Sequence, residues 1–456
     1  MYKQMKSLIN KYNIPGPRYT SYPTVPYWNT EQFSLNEYKN RLKNQFNTTN
    51  LTEGISIYIH LPFCESLCTF CGCHKRITKR HEVESPYIKT LLKEWDLYCD
   101  LLENKPIIKE LHLGGGTPTF FSCEHLKQLI EGLLSKANLS ETIEFSFEGH
   151  PNNTTYEHLE TLKKLGFTRV SFGVQDYDAT VQKAIHRIQT YEQVAKVTQW
   201  ARELGYTSIS HDIIYGLPFQ TIESIQKTIE LTHTLSPDRI SFYSYAHVPW
   251  IKGNGQRGFK DEDIPQSNAK RELYELGKEM LQQMEYVEIG MDHFSKKTDS
   301  LYAAFTSNAM HRNFMGYSSS KTTIMIGLGA SSIGDTNNAF VQNEKSIDEY
   351  TKMVQNGELP IVKGHLHSQE DLSLRSTILD IICHFETNLK KVYPYIPKEQ
   401  LNQRLKEFIS DKLIDLTEDQ LRVTQEGKAF VRNICMAFDE HLIHNQPSTQ
   451  LFSMTI

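Results

Sequence analysis

Between about residues 55 and 295, short runs of β-branched and aromatic residues alternate with longer stretches whose apolar positions recur at helical spacing. The short runs Ile55–Leu61, Glu110–Leu113, Ile143–Phe147, Arg169–Val174, Ser208–Ile214, Arg239–Ser244 and Val287–Met291 read as strands. The stretches Ser85–Leu102, Ser122–Leu134, Thr155–Leu165, Tyr191–Leu204, Thr221–Leu235 and Gln266–Met284 read as helices. In the first of them Ser85 is placed to cap, Pro86 suits the first turn, and Ile88, Leu91, Leu92, Trp95, Leu101 and Leu102 form the apolar set. Repeated strand–helix units predict an α/β fold with a parallel sheet and right-handed crossovers. Six or so units fit either an open, partial barrel or a doubly wound sheet, and the pattern alone does not choose.

The residues at the ends of these runs carry more information. In order they are His60, Gly114-Gly115-Gly116-Thr117, Glu148, Gln175, Asp212, His247 and Asp292-His293. One such residue reads as a cap or a loop; a polar or glycine residue closing strand after strand reads as a site. In a parallel barrel all of these ends meet on one face, where active sites form. Three successive glycines allow close approach of a ligand to the backbone. The loop lacks the Lys-Ser/Thr ending of a nucleotide-triphosphate loop, and a plain tight turn is its other reading.

Beyond about residue 360 the pattern changes. Glu370–Phe385 and Lys398–Lys412 read as helices, Ile414–Val423 as a hairpin around Thr417-Glu418-Asp419-Gln420, and Gln425–Leu442 as a last helix. That order resembles a winged-helix module. From Ile361 onward, however, eleven Lys and Arg stand against thirteen Asp and Glu, and the whole chain has a formal net charge of −5, so no nucleic-acid partner is expected. The predicted division is an arm over residues 1–50 that covers the site, a barrel over 51–300, a barrel extension and connection over 301–360, and a small, mainly helical domain over 361–456. No apolar run is long enough to span a bilayer.

Four of the eight cysteines, Cys64, Cys68, Cys71 and Cys73, fall within ten residues; Cys99, Cys123, Cys383 and Cys435 are scattered. Disulfide frameworks belong to small secreted chains. This chain has 456 residues, and its first residues, Met1-Tyr2-Lys3-Gln4-Met5-Lys6, have no apolar signal-peptide core. A soft-metal site is the better reading. Zinc sites usually pair two separated knuckles, and no second knuckle exists here, although a structural zinc loop is the alternative. Three thiolates from one compact turn suit a four-iron cluster with one iron left open. Cys73 is either a fourth ligand or a neighbouring thiol.

These residues carry a resemblance. Cys64-x3-Cys68-x-Phe70-Cys71 resembles the signature of the radical S-adenosylmethionine (SAM) superfamily. The longer string Tyr58-Ile59-His60-Leu61-Pro62-Phe63-Cys64, with Cys71-Gly72-Cys73, resembles the oxygen-independent coproporphyrinogen III oxidases. Three further segments are similar to the same family: Gly16-Pro17-Arg18-Tyr19-Thr20-Ser21-Tyr22-Pro23-Thr24, His311-Arg312-Asn313-Phe314, and Arg432-Asn433-Ile434-Cys435-Met436. The resemblance spans nearly the whole chain.

The resemblance implies a partial (β/α)6 radical SAM barrel with an N-terminal arm and a winged-helix-like C-terminal domain. Cys64, Cys68 and Cys71 would hold one [4Fe–4S] cluster. Tyr58, Gly115, Glu148 and Ile333 match positions that hold a first SAM. Phe70, Gly116, Thr117, Gln175, Arg187, Asp212 and Ala246 match positions that hold a second. The implied reaction is oxidative decarboxylation of two propionates of coproporphyrinogen III to the vinyl groups of protoporphyrinogen IX, served by a low-potential electron donor. A cytoplasmic monomer is expected. Two departures stand out: His150 replaces the acid common before Pro151, and Met310-His311-Arg312-Asn313 is retained without an assigned role. Two rival functions share the motifs, a haem chaperone and a radical enzyme of haem breakdown. Cys73 beside Cys71, the Gly16–Thr24 arm and Arg432–Met436 speak for the oxidase branch over the chaperone. For a substrate with four carboxylates, Arg18, Lys75, Arg76 and Arg312 are the candidate cationic partners.

Overall fold

Seven parallel strands form the centre of a twelve-stranded sheet in the computed structural model, which describes residues 2–249, 256 and 258–455. The strands used below are β1 (Ile55–Leu61), β2 (Ile107–Gly115), β3 (Asn138–Gly149), β4 (Phe167–Gln175), β5 (Ser208–Tyr215), β6 (Arg239–Ser244), β7 (Val287–Gly290), β8 (His293–Ser295), β9 (His311–Asn313), β10 (Gly316–Ser318), β11 (Met325–Leu328), β12 (Ile333–Asp335), β13 (Ala339–Asn343) and β14 (Ile361–Leu366). Across the sheet their order is β14-β13-β12-β11-β1-β2-β3-β4-β5-β6-β8-β7. Strands β11 and β1 to β6 run parallel, each with its neighbour. The two flanks are antiparallel.

Alternation along the strands sorts their side chains. Ile55, Ile57, Ile59 and Leu61 are fully buried among helix residues such as Tyr87, Ile88, Leu91, Trp95 and Tyr98. The intervening Ser56, Tyr58 and His60 face the concave side, where Ser56 bonds Glu110, Tyr58 stacks on His112, and His112 bonds Ser146 at 2.8 Å. Apolar residues therefore pack against the outer helices while polar ones line the interior. The helix Leu35–Glu53, inside the segment expected as an arm, adds Tyr38, Leu42 and Phe46 to this outer core.

Two expectations need correction. Val287–Met291 is not another parallel unit: β7 spans Val287–Gly290 and forms an antiparallel hairpin with β8, turned at Asp292 with φ 63°. So short a link cannot make a crossover, which needs a dozen or more residues. The seventh parallel strand is instead β11, on the far side of β1. The last helix is broken into Gly427–Phe430, Val431–Met436 and Glu440–His444. Asp439 restarts it, its carboxylate accepting from Leu442 N at 2.9 Å and from Tyr19 OH at 3.0 Å.

The β9–β10 hairpin and the residues after it fill the concave side. Ser318 and Ser320 donate to Glu110, Ser319 to Glu144, and Tyr317 accepts from Met291 N at 3.0 Å. The C-terminal helices and the three-stranded sheet of Glu386–Asn388, Gln420–Val423 and Ile414–Leu416 share one core with Tyr12, Tyr19 and Tyr22 of the N-terminal segment and with Ile289, Leu301 and Tyr317. No helix is long and apolar enough to cross a membrane, among the described residues.

Candidate active site

The cysteine loop begins where β1 ends. Phe63–Cys64 pairs in parallel with Arg76–Ile77, Arg76 N donates to Pro62 O at 2.7 Å, and Thr78 N donates to Cys64 O at 2.9 Å. The loop is pinned across the barrel mouth by Thr69, whose amide and hydroxyl reach Ile185 O and Ala184 O at 3.0 and 2.9 Å. Lys75 folds back over it and donates to Cys71 O and Cys73 O at 3.0 and 3.3 Å.

Cys64, Cys68 and Cys71 line one small cavity of about 50 Å³ together with Phe70, Gly116, Thr117 and Arg187. Two donors are aimed at its sulfurs: Thr117 Oγ1 at 3.4 Å from Cys64 Sγ and Arg187 Nη1 at 3.6 Å from Cys68 Sγ. Burial pushes the Cys64 thiol up to about 11. The Cys71 thiol is lowered by its interaction with the neighbouring Cys73 thiol and by the positive charges of Lys75 and Arg187. Cys73 is raised for the converse reason, and it lines a different cavity. Three soft donors around one cavity, with hydrogen-bond donors on their sulfurs, fit an iron–sulfur cluster held by Cys64, Cys68 and Cys71.

The second cavity is about 730 Å³ and adjoins the loop. Tyr58, Gly115, Glu148 and Ile333 all line it, as do His60, His112, Cys73, His74, Phe314 and Lys345. Glu148 ends β3 with Oε2 accepting from Gly115 N at 3.3 Å and Oε1 3.6 Å from His112 Nε2. Gly115 has φ 111°, and a methyl group there would lie 2.8 Å from the His60 ring. His60 is held between Tyr58 OH and His74 O, both at 3.0 Å, and burial lowers it to about 4, so it is neutral at pH 7.

The remaining predicted residues sort less evenly. Gln175 is buried at the end of β4 with φ 67°, and Ala246 O accepts from Gln256 at 3.0 Å. Asp212 accepts from Ser171 Oγ at 2.9 Å and is raised to about 6 by burial. None of these three lines either cavity. His247 turns away to Asp261 at 3.0 Å. His150 lines the cysteine cavity, its Nδ1 accepting from Asn152 N at 3.2 Å. Among the candidate cations, Arg76 is an exposed surface pair with Asp348 at 3.3 Å, worth roughly 0–1 kcal/mol. Arg18 donates to Ser244 O at 3.0 Å and lies 3.6 Å from Asp292. Sequence reasoning missed His74 and Met315, each one residue beyond a motif, and Gln342 and Lys345, in and just after a strand that no motif marks; all four line the large cavity.

Comparison with known proteins bears directly on this arrangement. The family model described as the radical SAM superfamily matches residues 58–232. The oxygen-independent coproporphyrinogen III oxidase of Helicobacter pylori is 38% identical over 442 residues, covering 95% of this chain and 96% of that protein. The protein of the same description from Pseudomonas aeruginosa is 35% identical, covering 95% of each chain. A solved structure of the Escherichia coli coproporphyrinogen III oxidase, described as a radical SAM enzyme, superposes with a TM-score of 0.87 at 33% identity, covering 93% of this chain and 98% of that one.

Proposed function

The chain belongs to the oxygen-independent coproporphyrinogen III oxidases of the radical SAM superfamily, and from that membership we propose how its residues share the work. The reaction is oxidative decarboxylation of two propionates of coproporphyrinogen III to the vinyl groups of protoporphyrinogen IX, with one [4Fe–4S] cluster and SAM as cofactors. When bound, such a cluster would supply the low-potential electron for reductive cleavage of SAM and hence the radical chemistry of the reaction.

Cys64, Cys68 and Cys71 would hold the cluster, their three sulfurs lining one cavity beside the site of the first SAM. The supporting observation is the pairing of two cavities, the small one lined by three sulfurs and the large one lined by Tyr58, Gly115, Glu148 and Ile333. Glu148, anchored on Gly115 N, accepts from the amino group of that SAM. The Gly115 backbone admits the ligand because no Cβ stands in the way. Tyr58 and Ile333 flank it.

A second SAM is served by Phe70, Gly116, Thr117, Gln175, Arg187, Asp212 and Ala246. Arg187 carries a buried Nε without a partner, which suits the carboxylate of that molecule. Asp212, raised only to about 6, is largely ionised at pH 7 and accepts from ribose hydroxyls. Residues 1–50 and 361–456 cover a catalytic barrel over 51–300, joined by the extension over 301–360, and keep water from the radical. The protein works as a cytoplasmic monomer fed by a low-potential donor.

The test is an anaerobic assay of cluster-reconstituted protein with SAM, reductant and coproporphyrinogen III. After the quenched products are oxidised for chromatography, protoporphyrin and 5′-deoxyadenosine should appear together, and both should vanish in Cys68→Ala. SAM cleavage without protoporphyrin would move the substrate to another tetrapyrrole.

A further inference from the structure

Arg312, one of the four candidate cationic partners, lies in the retained segment Met310–Asn313. It is 5% exposed, and its Nε and Nη1 find no hydrogen-bond acceptor. Among the described residues no carboxylate oxygen lies within 4.0 Å of it. Its guanidinium rests on the Tyr317 ring at 4.5 Å, Tyr317 meets His293 edge-on at 4.9 Å, and His293 Nε2 is 3.4 Å from Tyr243 OH. This stack leads to the barrel mouth, where Tyr243 feels the charges of Asp212 and Glu148.

The surroundings hold a surplus of positive charge. Asp292, on the turn after β7, feels the charges of Arg18, Arg432 and Arg312 and, against them, that of Glu288. Among the described residues the one ion pair of Asp292 is with Arg18. Arg432 gives its fork to the backbone oxygens of Gly16, Pro17 and Met454, so it needs no anion. Lys270 lies nearby with its Nζ on Tyr245 O at 2.9 Å, and burial lowers it to about 7, so it adds only part of a charge at pH 7. A buried guanidinium with open N–H groups in such a field is an anion site.

Arg312 itself lines none of the cavities described, but the hairpin that carries it reaches the large one. Arg312 pairs with Tyr317 across β9 and β10, and the hairpin tip residues Phe314 and Met315 line the 730 Å³ cavity. Given coproporphyrinogen III as substrate, and resting on that reading, we propose that Arg312 binds one propionate carboxylate of the substrate. The propionate it holds is one that the reaction keeps. An ion pair stabilises the ionised carboxylate, and so opposes its departure as CO2; at a propionate that stays, the same pair binds ground state and transition state alike.

The proposal predicts a particular kinetic split. Arg312→Gln should raise KM for coproporphyrinogen III at least about tenfold while kcat stays within about twofold. Arg312→Lys keeps the charge but loses the planar fork, and should fall between. Binding of coproporphyrin III, followed by protein fluorescence, should weaken in step in Arg312→Gln, whereas its tetramethyl ester should bind both proteins equally. Iron content and SAM binding report that the variant is intact. Unchanged KM and coproporphyrin binding in Arg312→Gln overturn the proposal while leaving the substrate reading in place. So does an equal loss of ester binding, which would mean that Arg312 only props the Tyr317 stack, and so does a fall in kcat at constant KM. Wild-type protein that binds no coproporphyrin and turns over no coproporphyrinogen overturns both readings together.

Discussion

The guanidinium of Arg432 donates to the backbone carbonyl of Gly16, and through Nε to that of Pro17 at 3.0 Å. One side chain of the C-terminal domain thus grips the N-terminal arm at the point where it turns toward the barrel. Two residues later in the arm, Arg18 reaches Ser244 O at the end of β6. Asn433 adds a bond to Tyr12 O at 2.8 Å. Segments more than four hundred residues apart are therefore one structural unit.

Truncating Arg432 should release the arm. Arg432→Ala leaves three backbone oxygens without their donor, a loss of roughly 3 kcal/mol or more at the usual cost of charged hydrogen bonds. Thermal unfolding should shift down by several degrees, and limited proteolysis should cut the arm between Tyr12 and the helix Leu35–Glu53. An unchanged melting curve together with an intact arm would show that packing of Tyr12, Tyr19 and Tyr22 alone holds it.

Cys73 should prove dispensable for the cluster. It lines the 730 Å³ cavity, whereas Cys64, Cys68 and Cys71 share the other one with Thr117 and Arg187. Cys73→Ser should reconstitute with the same iron content and the same reduced-cluster electron paramagnetic resonance signal as wild type. Cys64→Ala, Cys68→Ala and Cys71→Ala should each lose them. Loss of iron in Cys73→Ser would make it a fourth ligand.

The parts of this molecule written in local pattern were legible from sequence, and the parts written in tertiary contact were not. Strands β1 to β6 alternate apolar and polar residues because one side meets helices and the other a polar interior, so both the strands and their end residues could be read. Strand β11, Met-Ile-Gly-Leu, is buried throughout and has no alternation to read. The break in the last helix depends on Asp439 finding Tyr19 from the other end of the chain. At the site, Glu148 and the glycine loop follow strands and stood out, but Lys345 and Gln342 reach the cavity from a strand pair that no motif marks. Arg312 was visible as a candidate, yet only the fold distinguishes it from the solvated Arg76.

Gly115 should tolerate no side chain. At φ 111° an L-residue is strained by roughly 1–3 kcal/mol, and the added methyl would also press on His60, which Tyr58 and His74 hold in place. Gly115→Ala should therefore weaken SAM binding at least about tenfold in equilibrium dialysis while keeping full iron content. SAM affinity equal to wild type would mean that the ligand does not approach this backbone.

His441 and Asp371 should make stability depend on pH. His441 Nε2 lies 2.7 Å from Asp371 Oδ1, and the same carboxylate faces His365 Nε2 at 3.2 Å and the amide and hydroxyl of Ser368. Asn29 N donates to His365 Nδ1 at 3.1 Å, which puts the His365 proton on Nε2 and makes the trio a hydrogen-bonded network rather than a metal site. Burial lowers His441, but Asp371, Asp439 and Glu370 more than offset it, so it is raised above its usual 6.5. Burial raises Asp371, and its hydrogen bonds from His365 and His441 outweigh that, leaving it well below its usual 3.8. The histidine contribution is full below about 6.5 and is lost as pH rises through its higher folded value; the aspartate contribution is full above about 3.8 and is lost as pH falls through its lower one. Their sum peaks between those values. His441 also packs against Tyr22 and Tyr27, so losing the pair loosens the N-terminal segment there. Urea unfolding should show His441→Gln costing more stability near about pH 5.5 than near about pH 8.5. Parallel pH profiles for the two proteins would rule the charged pair out and leave His441 as a packing residue beneath the arm.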